Sequence, residues 1–231
     1  MSCVLLNVLT LSHFSLYQQP VNVMTILLCF IVALLAKLQK RPPSYLNSFI
    51  AYITITISVE IITYWYSLHN MHTVKIYNFY AILNFTYLLF LLRSFLSTPK
   101  VIRALSYAII IFPIVGLLNM IFIQGNGIFN TYTYMLGCLA VVISCIFYFY
   151  ERIKFPGPHS LLQDPTFWTA TGLLFFYTCS LPLNGLMNFI SNMPWMVFTT
   201  LHVTNIMINI ILYLFFSISF ICNLIFRKSS L

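Results

Sequence analysis

The chain has 231 residues, of which 61% are hydrophobic and 6% charged. A soluble domain carries about 25% charged residues, so the composition excludes a soluble enzyme and reads as a polytopic membrane protein. The net charge of +8 is no nucleic-acid signal, because the basic residues sit in short loops beside apolar runs. Spans of about 20 residues also leave no room for a nucleic-acid-binding or catalytic domain.

Residues 1–20 contain His13 but no Lys or Arg, unlike the basic n-region of a cleaved signal peptide. They read as an external or interfacial segment. The first span is expected over 21–36, closed by Lys37, Lys40, Arg41, Pro42 and Pro43. The second covers 45–68 and ends in a turn with His69, Asn70 and His72. The third covers 76–96. The fourth covers 101–123, where Pro113 and Gly116 predict a kink. After the Gln124-Gly125-Asn126-Gly127 turn comes the fifth, 131–150. A polar loop holding Glu151, Arg152, Lys154 and Asp164 leads to the sixth, 166–190, with Pro182 inside it. The seventh covers 195–226, and 227–231 form a tail. The expected fold is therefore an all-α bundle of seven transmembrane helices, with no internal repeat.

Loop charge orients the bundle. Ten basic residues flank the loops 1–2, 3–4 and 5–6 and the C-terminal tail, while Lys75 alone lies on the other side. The N-terminus is expected outside and the C-terminus in the cytoplasm. Tyr64, Trp65, Tyr66, Tyr132, Tyr134 and Trp195 mark the outer aromatic belt, and Tyr148, Tyr150 and Trp168 the inner one.

The second span carries Glu60 well inside, with Thr54, Thr56, Ser58 and Thr63 nearby. A carboxylate there costs about 2.5–3.5 kcal/mol on insertion scales, so it is expected to face the bundle interior. Glu60 stands eight residues before Leu68, and Asn84 eight after Ile76. Both then lie roughly 12 Å below the outer end, and His202 roughly 10 Å below it. Tyr77, Tyr80, Asn84 and Tyr87 share one face of the third span. Tyr177, Ser180, Asn184 and Asn188 share one face of the sixth, and His202, Asn205, Asn209 and Tyr213 one face of the seventh. Glu60, Tyr80, Asn84, His202 and Asn205 form the candidate polar core. Tyr77, Tyr177, Asn184 and Asn209 support it. The plain alternative for these stripes is interhelical hydrogen bonding that fixes packing, averaging about 0.6 kcal/mol per bond.

Several chemistries are disfavoured. No Lys lies in the middle of a span, where a Schiff-base pigment needs one. Glu60 and His202 are too few ligands for a membrane zinc hydrolase, so no metal and no cofactor are expected. The six cysteines have no close pair, which argues against a metal knuckle or a disulfide framework. No nucleophile-elbow motif or phosphate-binding loop is present.

The runs Glu60-Ile61-Ile62-Thr63-Tyr64, Lys75-Ile76-Tyr77-Asn78-Phe79-Tyr80, Phe167-Trp168 and Asn205-Ile206-Met207-Ile208-Asn209 resemble small seven-span integral membrane proteins of Bacteroidetes. Such proteins are often encoded near sensor histidine kinases. The resemblance implies a receptor-like sensory module of a bacterial inner membrane, with a histidine kinase or another signalling protein as partner. Its members often carry a second acid on span three where this chain has Asn84. The leading expectation is a ligand-binding membrane protein in contact with the lipid bilayer, a small ligand and a partner protein. The rivals are a membrane enzyme or carrier using Glu60 as an acid-base or proton-coupling group, and a structural subunit of a membrane complex.

Overall fold

The computed structural model describes residues 21–38, 44–69, 71–125, 127–155, 160–185 and 194–226. The expectations placed on 1–20, on the tail 227–231 and on Lys40, Arg41, Asn70, Asn126, His159 and Asn188 lie outside these residues. So do those for the last part of the sixth span.

Among the described residues the chain forms seven α-helices: α1 Val21–Lys37, α2 Ser44–Leu68, α3 Val74–Phe95, α4 Pro99–Leu118, α5 Thr131–Lys154, α6 Pro165–Gly185 and α7 Trp195–Phe226. Five stretches are long and apolar enough to cross a membrane: Tyr45–Leu68, Val74–Phe95, Pro99–Ile123, Thr131–Lys154 and Thr199–Ile225. The fold is all-α, and the chain is an integral membrane protein. Helix α1 is a shorter apolar helix, and α6 dilutes its apolar run with Thr166, Thr169, Thr171, Thr178, Ser180 and Asn184.

Helix starts follow local chemistry. Pro99 opens α4 at a position where the missing N–H costs nothing. Pro165 opens α6, and the Asp164 carboxylate accepts from the Thr166 N–H at 2.9 Å as an N-cap. Pro113 does not end α4. The helix runs on through it, and the irregularity comes later, as a π-helical turn over Asn119–Ile123. Pro113 removes one hydrogen bond at a helix whose neighbours keep theirs. Pro182 is likewise carried inside α6.

Helix α3 is the centre of the bundle and packs on α2, α4 and α5. Phe85 sits at the middle of it, fully buried, with Phe112 of α4, Tyr134 of α5 and Tyr177 of α6 around its ring at 5.2–5.8 Å. Gly137 and Gly116 let α5 and α4 come close to α3. A Cβ at Gly137 would stand 2.4 Å from the Phe85 ring, and one at Gly116 2.9 Å from Ile82. Gly172 serves α6 and α7 in the same way, against Phe215. Phe49 of α2 meets Phe216 and Phe220 of α7 edge-on at 5.0 and 5.1 Å. Asn22 accepts from Asn209 at 3.3 Å and ties α1 to α7.

Two of the belt tyrosines face the bundle rather than lipid. Tyr148, expected at the inner boundary, is buried and hydrogen-bonded to Thr166 at 2.8 Å. Its ring faces α3 through Phe95. Tyr134, expected at the outer boundary, packs its ring on Phe85 instead. Sequence position near a helix end does not say which face a ring occupies.

Candidate functional site

The polar face of α2 consists of Tyr52, Thr56, Glu60 and Thr63, one helical turn apart along the helix. It meets the tyrosine face of α3 rung by rung. Tyr77 and Thr63 are bonded at 3.1 Å, and Tyr80 and Thr56 at 2.8 Å. The Tyr52 hydroxyl donates to Asn84 Oδ1 at 2.8 Å, and Asn84 Nδ2 donates to the Tyr177 hydroxyl at 2.9 Å. Tyr52 and Tyr80 are linked through Thr56, whose hydroxyl bonds the Tyr52 carbonyl and the Tyr80 hydroxyl. A ladder of hydroxyls and one amide thus crosses from α2 through α3 to α6. Below it Tyr52 stacks on Tyr87 at 4.6 Å.

Glu60 stands at the upper part of this ladder. Its carboxyl faces the Tyr77 hydroxyl, with Tyr80 and Tyr213 of α7 in its neighbourhood. The proton count there is short. Thr63 spends its own hydroxyl proton on the backbone carbonyls of Val59 and Glu60, at 2.9 and 3.1 Å. Tyr77 therefore has one proton for two acceptors, Thr63 Oγ1 and the Glu60 carboxyl. A carboxylate has about four acceptor sites.

Glu60, Tyr77, Tyr80, Asn84, His202, Asn205 and Asn209 are partly exposed. Thr56, Thr63, Asn78, Ser180 and Asn184 are buried, as are Tyr177, Tyr213 and Phe216.

Of the sequence-derived set, the structure brings Tyr77, Tyr80, Asn84 and Tyr177 together with Glu60 on one continuous ladder. Asn84 is not level with Glu60. Its partner on α2 is Tyr52, eight residues before Glu60, roughly 12 Å along the helix. Counting depth from helix ends assumed that α2 and α3 start level, and the observed pairs are offset from that. His202 and Asn205 lie one turn apart on α7, both partly exposed. Asn184 binds within α6 and α5, donating to Ser180 O at 3.1 Å and the Tyr134 hydroxyl at 3.4 Å. Asn209 belongs to the α1–α7 contact. Tyr52 and Tyr213 were missing from the set. Tyr52, Thr56, Glu60 and Thr63 at i, i+4, i+8 and i+11 was the signal that finds the first.

Two other polar clusters have structural work. Under the α4–α5 turn, Asn119 donates to Asn130 Oδ1, to Gln124 Oε1 at 2.9 Å and to Thr133 Oγ1 at 3.0 Å. Asn78 of α3 joins them, accepting from Asn130 N and donating to Ile128 O, both at 2.8 Å. At the opposite end the Glu151 carboxylate accepts from the N–H groups of Ser97 and Thr98 at 2.7 and 2.9 Å. It caps α4 from α5, because Thr98 makes no side-chain cap of its own. Asp164 pairs with Arg152 at 3.0 Å and caps α6. Among the described residues, no group of three or more His, Cys, Asp or Glu could hold a metal ion.

The cap makes a prediction. Glu151→Ala removes the acceptor of two backbone N–H groups at a partly exposed helix start, and is expected to cost about 0.5–2 kcal/mol, as loss of a cap does. Glu151→Gln keeps one acceptor oxygen and should lose less. Thermal unfolding in detergent checks the order, and an alanine variant as stable as the parent would remove the capping role.

Comparison with protein-family models, with curated proteins and with solved structures gave no match.

Proposed function

We propose that the protein is a receptor-like sensory or ligand-binding module of the inner membrane, acting through a partner protein. The carrying observation concerns the three acidic residues. Glu151 caps α4 and Asp164 is paired and caps α6. Glu60, placed inside an apolar helix, has a single shared hydroxyl. An ionisable group held there at such cost reads as a functional residue. The partial exposure of Glu60, Tyr80, Asn84, His202 and Asn205 supports a vestibule open toward Glu60, with the buried Tyr52, Tyr177 and Tyr213 beside it. The excess of Lys and Arg at the far end supports an outside N-terminus, seven spans and a basic cytoplasmic face where a histidine kinase or similar signalling protein docks. Binding at the vestibule would reach that face by small shifts of α2 against α3.

The hydroxyl ladder favours a second reading. A row of Tyr and Thr hydroxyls leading from an acid suits a proton-coupled carrier or enzyme, with Glu60 exchanging the proton.

Cysteine labelling tests the vestibule. In a cysteine-free background, Asn205→Cys and Gly127→Cys are expected to react with an impermeant thiol reagent added to intact cells. Arg103→Cys should react only after lysis. Labelling of Arg103→Cys from outside would invert the topology. An unreactive Asn205→Cys beside a reactive Gly127→Cys would close the vestibule and end the reading.

A further inference from the structure

The chemistry around Glu60 selects the class of ligand, on the reading that the vestibule is open. Three observations bear on it. First, the Glu60 carboxyl shares one donated proton with Thr63 Oγ1, so it has acceptor capacity left. The neighbouring hydroxyls are already committed. Thr56 donates to its own helix at 3.0 Å, and Tyr52 donates to Asn84. Their protons point away from Glu60. Second, the groups brought to this face of α2 are tyrosines: Tyr77 and Tyr80, held there by their bonds to Thr63 and Thr56. They are neutral, and an aromatic ring beside a carboxyl suits a cation rather than an anion. Third, the described Lys and Arg residues lie at helix ends. Lys75 is exposed at the start of α3, and Lys37, Arg93, Lys100, Arg103, Arg152 and Lys154 belong to the opposite end. An anionic ligand would meet a carboxyl and no countercharge.

We infer that the site takes a ligand bearing a protonated amine. The ammonium N–H groups fill the open acceptor positions of Glu60, and the tyrosine rings flank the charge. The Thr56 and Tyr52 hydroxyls, which donate elsewhere, do not compete for the carboxyl. A bare metal ion is served less well, because Glu60 would be its single carboxylate and hard cations prefer six or more oxygen ligands. The amine arrives either as a free solute or as the headgroup of an amine-bearing lipid, and both present the same ammonium.

The test uses the full chain in dodecyl maltoside. Wild type and Glu60→Gln are titrated with n-butylammonium chloride and with n-butanol, its neutral counterpart, reading thermal stability and tyrosine fluorescence. Parallel micelles are doped with phosphatidylethanolamine or phosphatidylglycerol. A saturable response to butylammonium is expected, weaker by roughly tenfold or more for butanol and in Glu60→Gln. A response to the ethanolamine lipid without one to butylammonium also supports the amine site and assigns the headgroup as its source. Equal responses to amine and alcohol overturn the inference. So does an undiminished response in Glu60→Gln, or no response to either ammonium source. The amine–alcohol comparison on the wild type stands even where the variant fails to fold. A reactive Asn205→Cys together with no amine response would sink the ligand class and leave the vestibule intact.

Discussion

Gly137→Ala is expected to destabilise the bundle by about 1–3 kcal/mol. The added methyl would lie 2.4 Å from Cγ of Phe85 and 2.5 and 2.7 Å from its Cδ atoms. The ring cannot swing aside, because Phe112, Tyr134 and Tyr177 hold its other sides. Helix α5 must instead retreat from α3, which also loosens the tyrosines on either flank. In an ordinary helix the same substitution would gain about 1 kcal/mol in propensity, so steric conflict has to exceed that gain. Gly185→Ala is the control: its Cβ would meet the flexible Met135 thioether at 3.5 Å, an ordinary contact. Phe85→Leu in the Gly137→Ala background should recover part of the loss. Unfolding temperatures of the three purified variants and the wild type in detergent decide it, and a Gly137→Ala protein matching wild type would mean the α3–α5 contact is looser than described.

Asn84→Leu is expected to cost about 1–3 kcal/mol, for a different reason. The amide accepts from Tyr52 on one side and donates to Tyr177 on the other. Leucine fills a similar volume and leaves two hydroxyls facing hydrocarbon. Tyr177 is 2% exposed, so water has little access to replace the lost partner. Asn84→Leu with Tyr52→Phe and Tyr177→Phe should lose less than the three single effects added together, because each hydroxyl removed cancels a penalty. Strict additivity in that cycle would show that the ladder is a set of independent contacts. Sub-additivity would show one coupled network joining α2, α3 and α6.

Helical class and helix positions were legible because composition and apolar length decide them. The inward faces of α3 and α6 were legible too, because Tyr80, Asn84 and Tyr177 recur at helical spacing. Vertical register was not. Whether Glu60 faces Asn84 or Tyr77 depends on how far two helices slide past one another, and that is set by close packing of residues such as Phe85 and Gly137. Glu151 shows a second limit. Its sequence neighbours Arg152 and Lys154 make it look like one charge of a solvated loop. Its role comes from Ser97 and Thr98, which only tertiary structure brings to it. The buried Asn78–Asn119–Asn130 cluster escaped for the same reason, since each amide lies in a different segment.

The cap on α4 also imposes an order of events during synthesis. Ser97 and Thr98 emerge from the ribosome 54 and 53 residues ahead of Glu151. Helix α4 thus enters the bilayer with two amide groups at its start still seeking an acceptor. They find one when α5 has been threaded back across. Helix α4 lies mainly against α3, through Phe112 and Gly116. Its start is therefore secured last, when α5 arrives. Glu151 then works as a latch, closing once the second arm of the hairpin is home.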